Sequence, residues 1–342
     1  MPYFCYNFTI GCGILTKREY RFDFLRAFSM CLVIVIHVAN CYCNNYNGIS
    51  NLSYLGSVIY NVISRISVPL FFMISGALLL KKPFNKTKYI NRIKKFIIII
   101  ICWDIIYLLW EYLYLGITYN KLYILVLEPY RKHLWFLYTI IVLYAIQPLL
   151  NIMLSKMNKK QITLMYIVIF IICNICMIVS SIASYFTLLC YIGYFMLGDT
   201  LYRHTKDLKF KHINWLLISI FITTIILDII FSYYISIKYN AFINIYFSYR
   251  ESFIILASTC FFIFIMNNYK NEENKIVTKL SEYSFGIYLI HGIFLDIVKS
   301  SISIYLLNSF IGIPLFSIII FILSYISIHY LKKIPIVNKY LI

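Results

Sequence analysis

Long apolar stretches separated by short polar, mostly basic, connections make up almost the whole chain. Ten of these stretches reach the roughly 20 predominantly apolar residues that a membrane-spanning helix needs. They run over 21–41, 53–80, 96–116, 133–153, 161–180, 183–201, 213–236, 249–267, 282–298 and 311–331. The gaps are too short to hold a soluble domain, and neither an internal repeat nor a Pro/Gly/Ser-rich linker divides the sequence. The pattern predicts one all-α domain over 1–342, a polytopic transmembrane helix bundle of about ten spans, with 1–20 as a short N-terminal tail.

The basic residues set an orientation. Of the 31 Lys and Arg, twenty-three fall at the two ends and in one set of alternate connections, and six in the other set. Cytoplasmic loops carry such an excess, so both termini are expected in the cytoplasm. Composition agrees: 62% hydrophobic, 13% charged, mean hydropathy +0.81, against about 25% charged residues in soluble domains. A water-soluble globule, a disordered chain and a small disulfide scaffold are thereby excluded. The net charge of +18 is spread over loops instead of gathered on one folded face, so it argues for membrane topology and against a nucleic-acid partner. The first twenty residues lack the basic start and small-residue cleavage site of a secretory signal, so no cleavage is expected. Ten cysteines are scattered through the apolar runs. Cys173 and Cys176 form a C-x-x-C pair inside a span and read as polarizable packing residues, with no metal expected.

An ionised side chain at mid-membrane costs ~2.5–3.5 kcal/mol on insertion scales and is a functional candidate by default. Arg26 and His37 lie eleven residues apart, which at 100° per residue leaves them about 20° apart around the helix and roughly 16 Å apart along it. A guanidinium near the inner mouth suits a phosphate-bearing ligand, and a shielded imidazole deeper in can serve as general base to a hydroxyl. The bland reading has Arg26 snorkelling to headgroups and His37 bonded in the bundle. Asp23, one turn before Arg26, can hold its guanidinium. Arg65 precedes Pro69, which frees the Arg65 carbonyl and bends the helix where protein or water lines it. His133 opens a span at the outer interface, where the bland reading has it solvated and Trp135 part of an aromatic belt; both are also candidates for binding the donor or the acceptor. His291 sits mid-span, with Tyr288 on the same face. Asp104 and Glu111 share one face of the third span, while Asp228 and Asp296 read as wet residues near the outer surface.

Four blocks carry a resemblance: Asp23-Phe24-Leu25-Arg26 with His37; Arg65 through Pro69-Leu70-Phe71-Phe72 to Ser75-Gly76; His133-Leu134-Trp135-Phe136-Leu137 with Tyr144 and Pro148; and Ser284-Phe285-Gly286-Ile287-Tyr288-Leu289-Ile290-His291. In this order, across ten spans, the chain resembles the acyltransferase-3 family of bacterial integral-membrane O-acyltransferases that decorate surface glycans. The resemblance implies a cytosolic acyl-CoA, usually acetyl-CoA, as co-substrate, with no bound cofactor. It further implies a carbohydrate hydroxyl as acceptor, a place in the bacterial cytoplasmic membrane, and Arg26 and His37 as the pair central to activity. The family's basic motif reads here as Arg92-Ile93-Lys94-Lys95, with Lys95 where a second Arg is common. Lys keeps the charge but not the bidentate geometry toward phosphate. No esterase-like extracytoplasmic domain is expected. The rival reading is a transporter or flippase of a glycan or lipid-linked intermediate, to which intramembrane Arg, His and Asp are equally suited.

Overall fold

The computed structural model describes residues 18–80, 82–116, 129–178, 180–204 and 212–341, and among them it is helical without a strand. The helices are α1 (Tyr20–Asn44), α2 (Asn51–Ser64), α3 (Ser67–Leu79), α4 (Lys86–Trp110, continued by a π-turn Glu111–Leu115), α5 (Trp135–Lys156), α6 (Lys159–Ile178), α7 (Ser180–His204), α8 (Ile213–Tyr239), α9 (Ser252–Asn268), α10 (Lys275–Ser301), α11 (Ser309–Leu331) and α12 (Pro335–Tyr340). Every predicted apolar stretch contains helix, with α2 and α3 together forming the second. Among the described residues seven columns are long and apolar enough to cross a membrane: α1, α2–α3, α4, α5, α8, α9 and α11. Most of the expected tail, 1–17, lies outside the described residues, as do the loop bases Lys81, Lys121, Lys206, Lys209 and Lys211 and the side chain of Cys176.

Side-chain oxygens start several of these helices. Ser50, Asn85, Asn274 and Asn308 each accept a bond from a backbone N–H of the first turn, satisfying donors that would otherwise be orphaned. The second column breaks at Arg65-Ile66, four residues before Pro69. Pro69 has no N–H to offer the Arg65 carbonyl. The break is buried, with Ile66 and Ser67 shielded, which is where a membrane protein tolerates it.

The exposed surface of the bundle is apolar, with Leu149, Trp215, Ile226 and Ile318 among the outward residues, whereas Asp23, Asn61, Asp104, Gln147 and Ser258 point inward. Lipid supplies no hydrophobic drive between helices, so close backbone approach and polar bonds must hold them. The α3–α7 crossing shows how close: a Cβ at Gly76 would lie 1.6 Å from the Phe195 carbonyl oxygen, and one at Gly198 would lie 1.9 Å from that of Met73. Asp228, expected to be wet, is fully buried and accepts a bond from Ser232 Oγ. Ser232 and Ser236 continue its stripe at four-residue spacing, so α8 turns its polar face into the bundle.

Helix α1 packs against α2, α3, α9, α10 and α11 and has two distinct ends. At its beginning, Arg18 pairs with Glu282 of α10, Tyr20 N–H donates to Asn271, and Lys332 at the end of α11 donates to the Glu282 carbonyl. The start of α1 and the end of α11 therefore share one end of the bundle. At the opposite end Tyr42 donates to the Ile304 and Leu307 carbonyls.

Candidate active site

Three imidazoles from three separate helical segments meet inside the bundle. The His37 ring lies 5.0 Å from that of His291 and 6.1 Å from that of His133, and the His133 and His291 rings are 5.1 Å apart, centroid to centroid. Their common depth follows from helix rise. His37 is 17 residues into α1 and His291 is 16 residues into α10, which at 1.5 Å per residue is about 25 Å from the shared end for each.

Tyrosines hold the cluster. Tyr288 OH donates to the His133 carbonyl at 2.5 Å, Tyr107 OH donates to the Leu289 carbonyl at 2.7 Å, and the Tyr107 ring stands edge-on to His133 at 4.9 Å. Gly292 makes room for both, since a Cβ there would lie 2.8 Å from His133 Cε1 and 2.8 Å from the Tyr107 hydroxyl. His133, expected at the solvated interface, is buried, because Leu134 and the 3₁₀ turn before α5 are themselves packed into the core. Trp135 likewise turns inward, against Tyr191 and Tyr249.

Arg65 occupies the break between α2 and α3. Its Nε donates to Asn61 Oδ1 at 2.9 Å and its Nη2 to Asn40 Oδ1 at 3.3 Å, and the guanidinium lies over the Phe247 and Tyr249 rings. Asn40 is one turn beyond His37 on α1, which places this cation beside the imidazoles.

Toward the shared end, Asp23 is buried and accepts from Arg18 Nε at 2.7 Å, Ser281 Oγ at 2.8 Å and Arg26 Nη1 at 3.3 Å. It thereby ties α1 to α10 and orients Arg26. Arg92 lies over the Tyr144 ring at 5.6 Å, and Lys95 faces Lys332. Lys82, between α3 and α4, has its pKa held below the ordinary 10.5 by burial and by the neighbouring charges of Arg92, Lys88 and Arg26. Four cations, Lys82, Lys88, Arg92 and Arg26, thus lie close enough to feel one another's charge, a setting that attracts phosphates.

The opposite side of the cluster is closed by a network that sequence reading did not assemble. Arg131 pairs with Glu111 (2.9 Å) and with Asp296, and its guanidinium lies over Tyr107. Trp110 donates to Asp296, Tyr130 OH to Glu111, and Tyr130 N–H and Tyr138 OH to Asp104. Asp104 and Glu111 do share a face, joined through Tyr130. Asp296 is ion-paired in this network, in place of the wet surface position expected for it. Tyr107, Asn40 and Gly292 carry no motif and were detectable only as isolated polar or small residues in apolar runs, and Lys82 and Arg131 only as loop bases. Among the described residues no group of three or more His, Cys, Asp or Glu is arranged to hold a metal ion.

A helical bundle with membrane-length apolar helices and an imidazole cluster in its interior fits the class of membrane acyltransferases. The sequence profile of the acyltransferase-3 family, described as an acyltransferase domain, matches residues 19–329, nearly the whole chain. The chain belongs to this family. Neither a curated protein nor a solved structure matches it.

Proposed function

We propose that this protein is an O-acetyltransferase of the bacterial cytoplasmic membrane, moving acetyl from cytosolic acetyl-CoA to a hydroxyl of a cell-surface or lipid-linked carbohydrate. The reading uses ten spans, with both termini in the cytoplasm and the basic mouth on that side. Arg26, Arg92 and Lys82 receive the phosphates of the donor, with Lys95 contributing field, and the acyl-pantetheine arm passes up the face of α1. His37 takes the proton from the acceptor hydroxyl, or from a protein group that carries the acyl transiently. Asp23 keeps Arg26 aimed along the route. Arg65, cationic and adjacent, favours the oxyanion that forms as the carbonyl is attacked. Trp135 and Tyr288 line the acceptor side beside His133 and His291.

The observation that carries the reading is the imidazole cluster, about 25 Å above the end where the bases collect. The test uses the full chain in membranes supplied with radiolabelled acetyl-CoA, following label in the glycan fraction and release of CoA thiol. The wild type transfers label and His37→Ala, inserted at equal level, does not. A transporter would release no CoA, and full transfer by His37→Ala would remove the base assignment.

A further inference from the structure

The His291 ring is almost completely buried, and its two nitrogens are not equivalent. Nδ1 lies 2.6 Å from the Tyr288 carbonyl oxygen, and a carbonyl can only accept. Nδ1 therefore carries the hydrogen, and the neutral ring presents its lone pair at Nε2. That Nε2 is buried without a hydrogen-bond partner and belongs to a ring whose centroid is 5.0 Å from that of His37. The His37 ring is the opposite case. Among the described residues nothing hydrogen-bonds it; only its backbone carbonyl is engaged, by Cys41. One ring is fixed as an acceptor, while among the described residues no hydrogen bond fixes which nitrogen its neighbour offers. At a centroid separation of 5.0 Å, two ring nitrogens that face each other lie within hydrogen-bond length.

Resting on the acyl-transfer reading above, we propose that His291 is the terminal proton acceptor of a two-imidazole relay, working through His37. As the acceptor O–H bond breaks and its oxygen bonds the acyl carbon, the proton passes to one ring nitrogen of His37. The N–H on the other side of His37 is given to His291 Nε2. The carbon–sulfur bond of the thioester breaks and CoA leaves as thiolate, which takes the proton back from His291 by the reverse path and departs as the thiol. The Tyr288 carbonyl serves throughout, because it accepts Nδ1–H more strongly when the ring is cationic. His291 is thus a positioning residue that fixes the direction of proton flow, while His37 touches the substrate.

Asparagine and glutamine separate this role from a structural one. In His291→Asn the side-chain amide takes the place of Nδ1–H and keeps the bond to Tyr288, but no base remains at the Nε2 position. In His291→Gln the amide reaches the Nε2 position without supplying a base there, and the bond to Tyr288 is lost. The full-length variants are assayed in membranes with acetyl-CoA, beside His291→Ala with and without added imidazole. Both amide variants are expected to lose about 100-fold or more in kcat, with the KM for acetyl-CoA within about threefold, and imidazole is expected to restore part of the activity of His291→Ala. A near-normal kcat in His291→Asn, or no response of His291→Ala to imidazole, overturns the relay. Detergent melting checks that each variant folds, and the imidazole response decides the matter should the Asn protein not accumulate. Absence of CoA release by the wild type would instead remove the acyl-transfer reading itself, a distinguishable failure.

Discussion

Gly292→Ala separates the architecture of the site from the stability of the fold. The new Cβ would meet His133 Cε1 and the Tyr107 hydroxyl at 2.8 Å each, and His133 Nε2 at 3.3 Å. Favourable contact begins at about 3.5 Å, so both side chains must retreat by ~0.7 Å. Both atoms are the tips of side chains, which bend more cheaply than backbone, and overpacking of this kind costs ~1–3 kcal/mol. Tyr107 is tied through its hydroxyl to Leu289, whereas the His133 ring carries no such bond at Nε2, so the retreat falls chiefly on His133 and changes the spacing among the three rings. Misplacement of about 1 Å in a reacting constellation costs on the order of 100-fold, and ~0.7 Å is expected to reduce acetyl transfer by about 10- to 100-fold, equivalent to ~1.4–2.7 kcal/mol of barrier. The assay is initial-rate CoA release by the full chain, paired with a detergent melting curve. Activity within twofold of wild type, with the variant folded, would show that ring spacing does not matter and would refute the reasoning.

Removing His37 as alanine is expected to lower kcat by 10²–10⁴-fold with little change in the KM for acetyl-CoA, read from steady-state rates; a pure KM effect would contradict a role in proton transfer. Arg92→Gln is expected to raise that KM about 5- to 20-fold with kcat nearly unchanged, as for uniform binding of a polyanion, and the difference from wild type should shrink at high salt. Lys82 adds a pH signature. Its pKa lies below 10.5, so its charge is lost earlier than that of an ordinary lysine as pH rises. Acetyl-CoA binding should therefore weaken on the alkaline side in wild type and less so in Lys82→Arg, as followed by KM against pH. Gly76→Ala sets a Cβ 1.6 Å from a backbone oxygen, which no side-chain motion relieves. The α3–α7 crossing should open, with loss of folded protein in fluorescence-detected size exclusion.

The helices were legible in the sequence because lipid demands about 20 apolar residues per crossing, and the break at Arg65 was legible because Pro69 lacks an N–H. Even the common depth of His37 and His291 can be counted from the basic ends of their spans. Direction around each helix could not be read in the same way. Apolar residues cover the lipid face and fill the core alike, so a span carrying few polar residues hardly says which way it points, and α8 disclosed its inward face only through Asp228, Ser232 and Ser236. The network behind the imidazoles shows the same limit. Arg131 and Asp296 are 165 residues apart, and each alone reads as a loop or rim charge. Their pairing, with Glu111 and Trp110, covers the end of α5 and makes His133 an interior residue although it stands at the start of a span. Burial there is a property of the assembled bundle. The same holds for chemistry: the sequence singles out His37 and reads His133 as solvated, and only the hydrogen bond from Nδ1 to a carbonyl one turn back shows His291 to be a fixed acceptor.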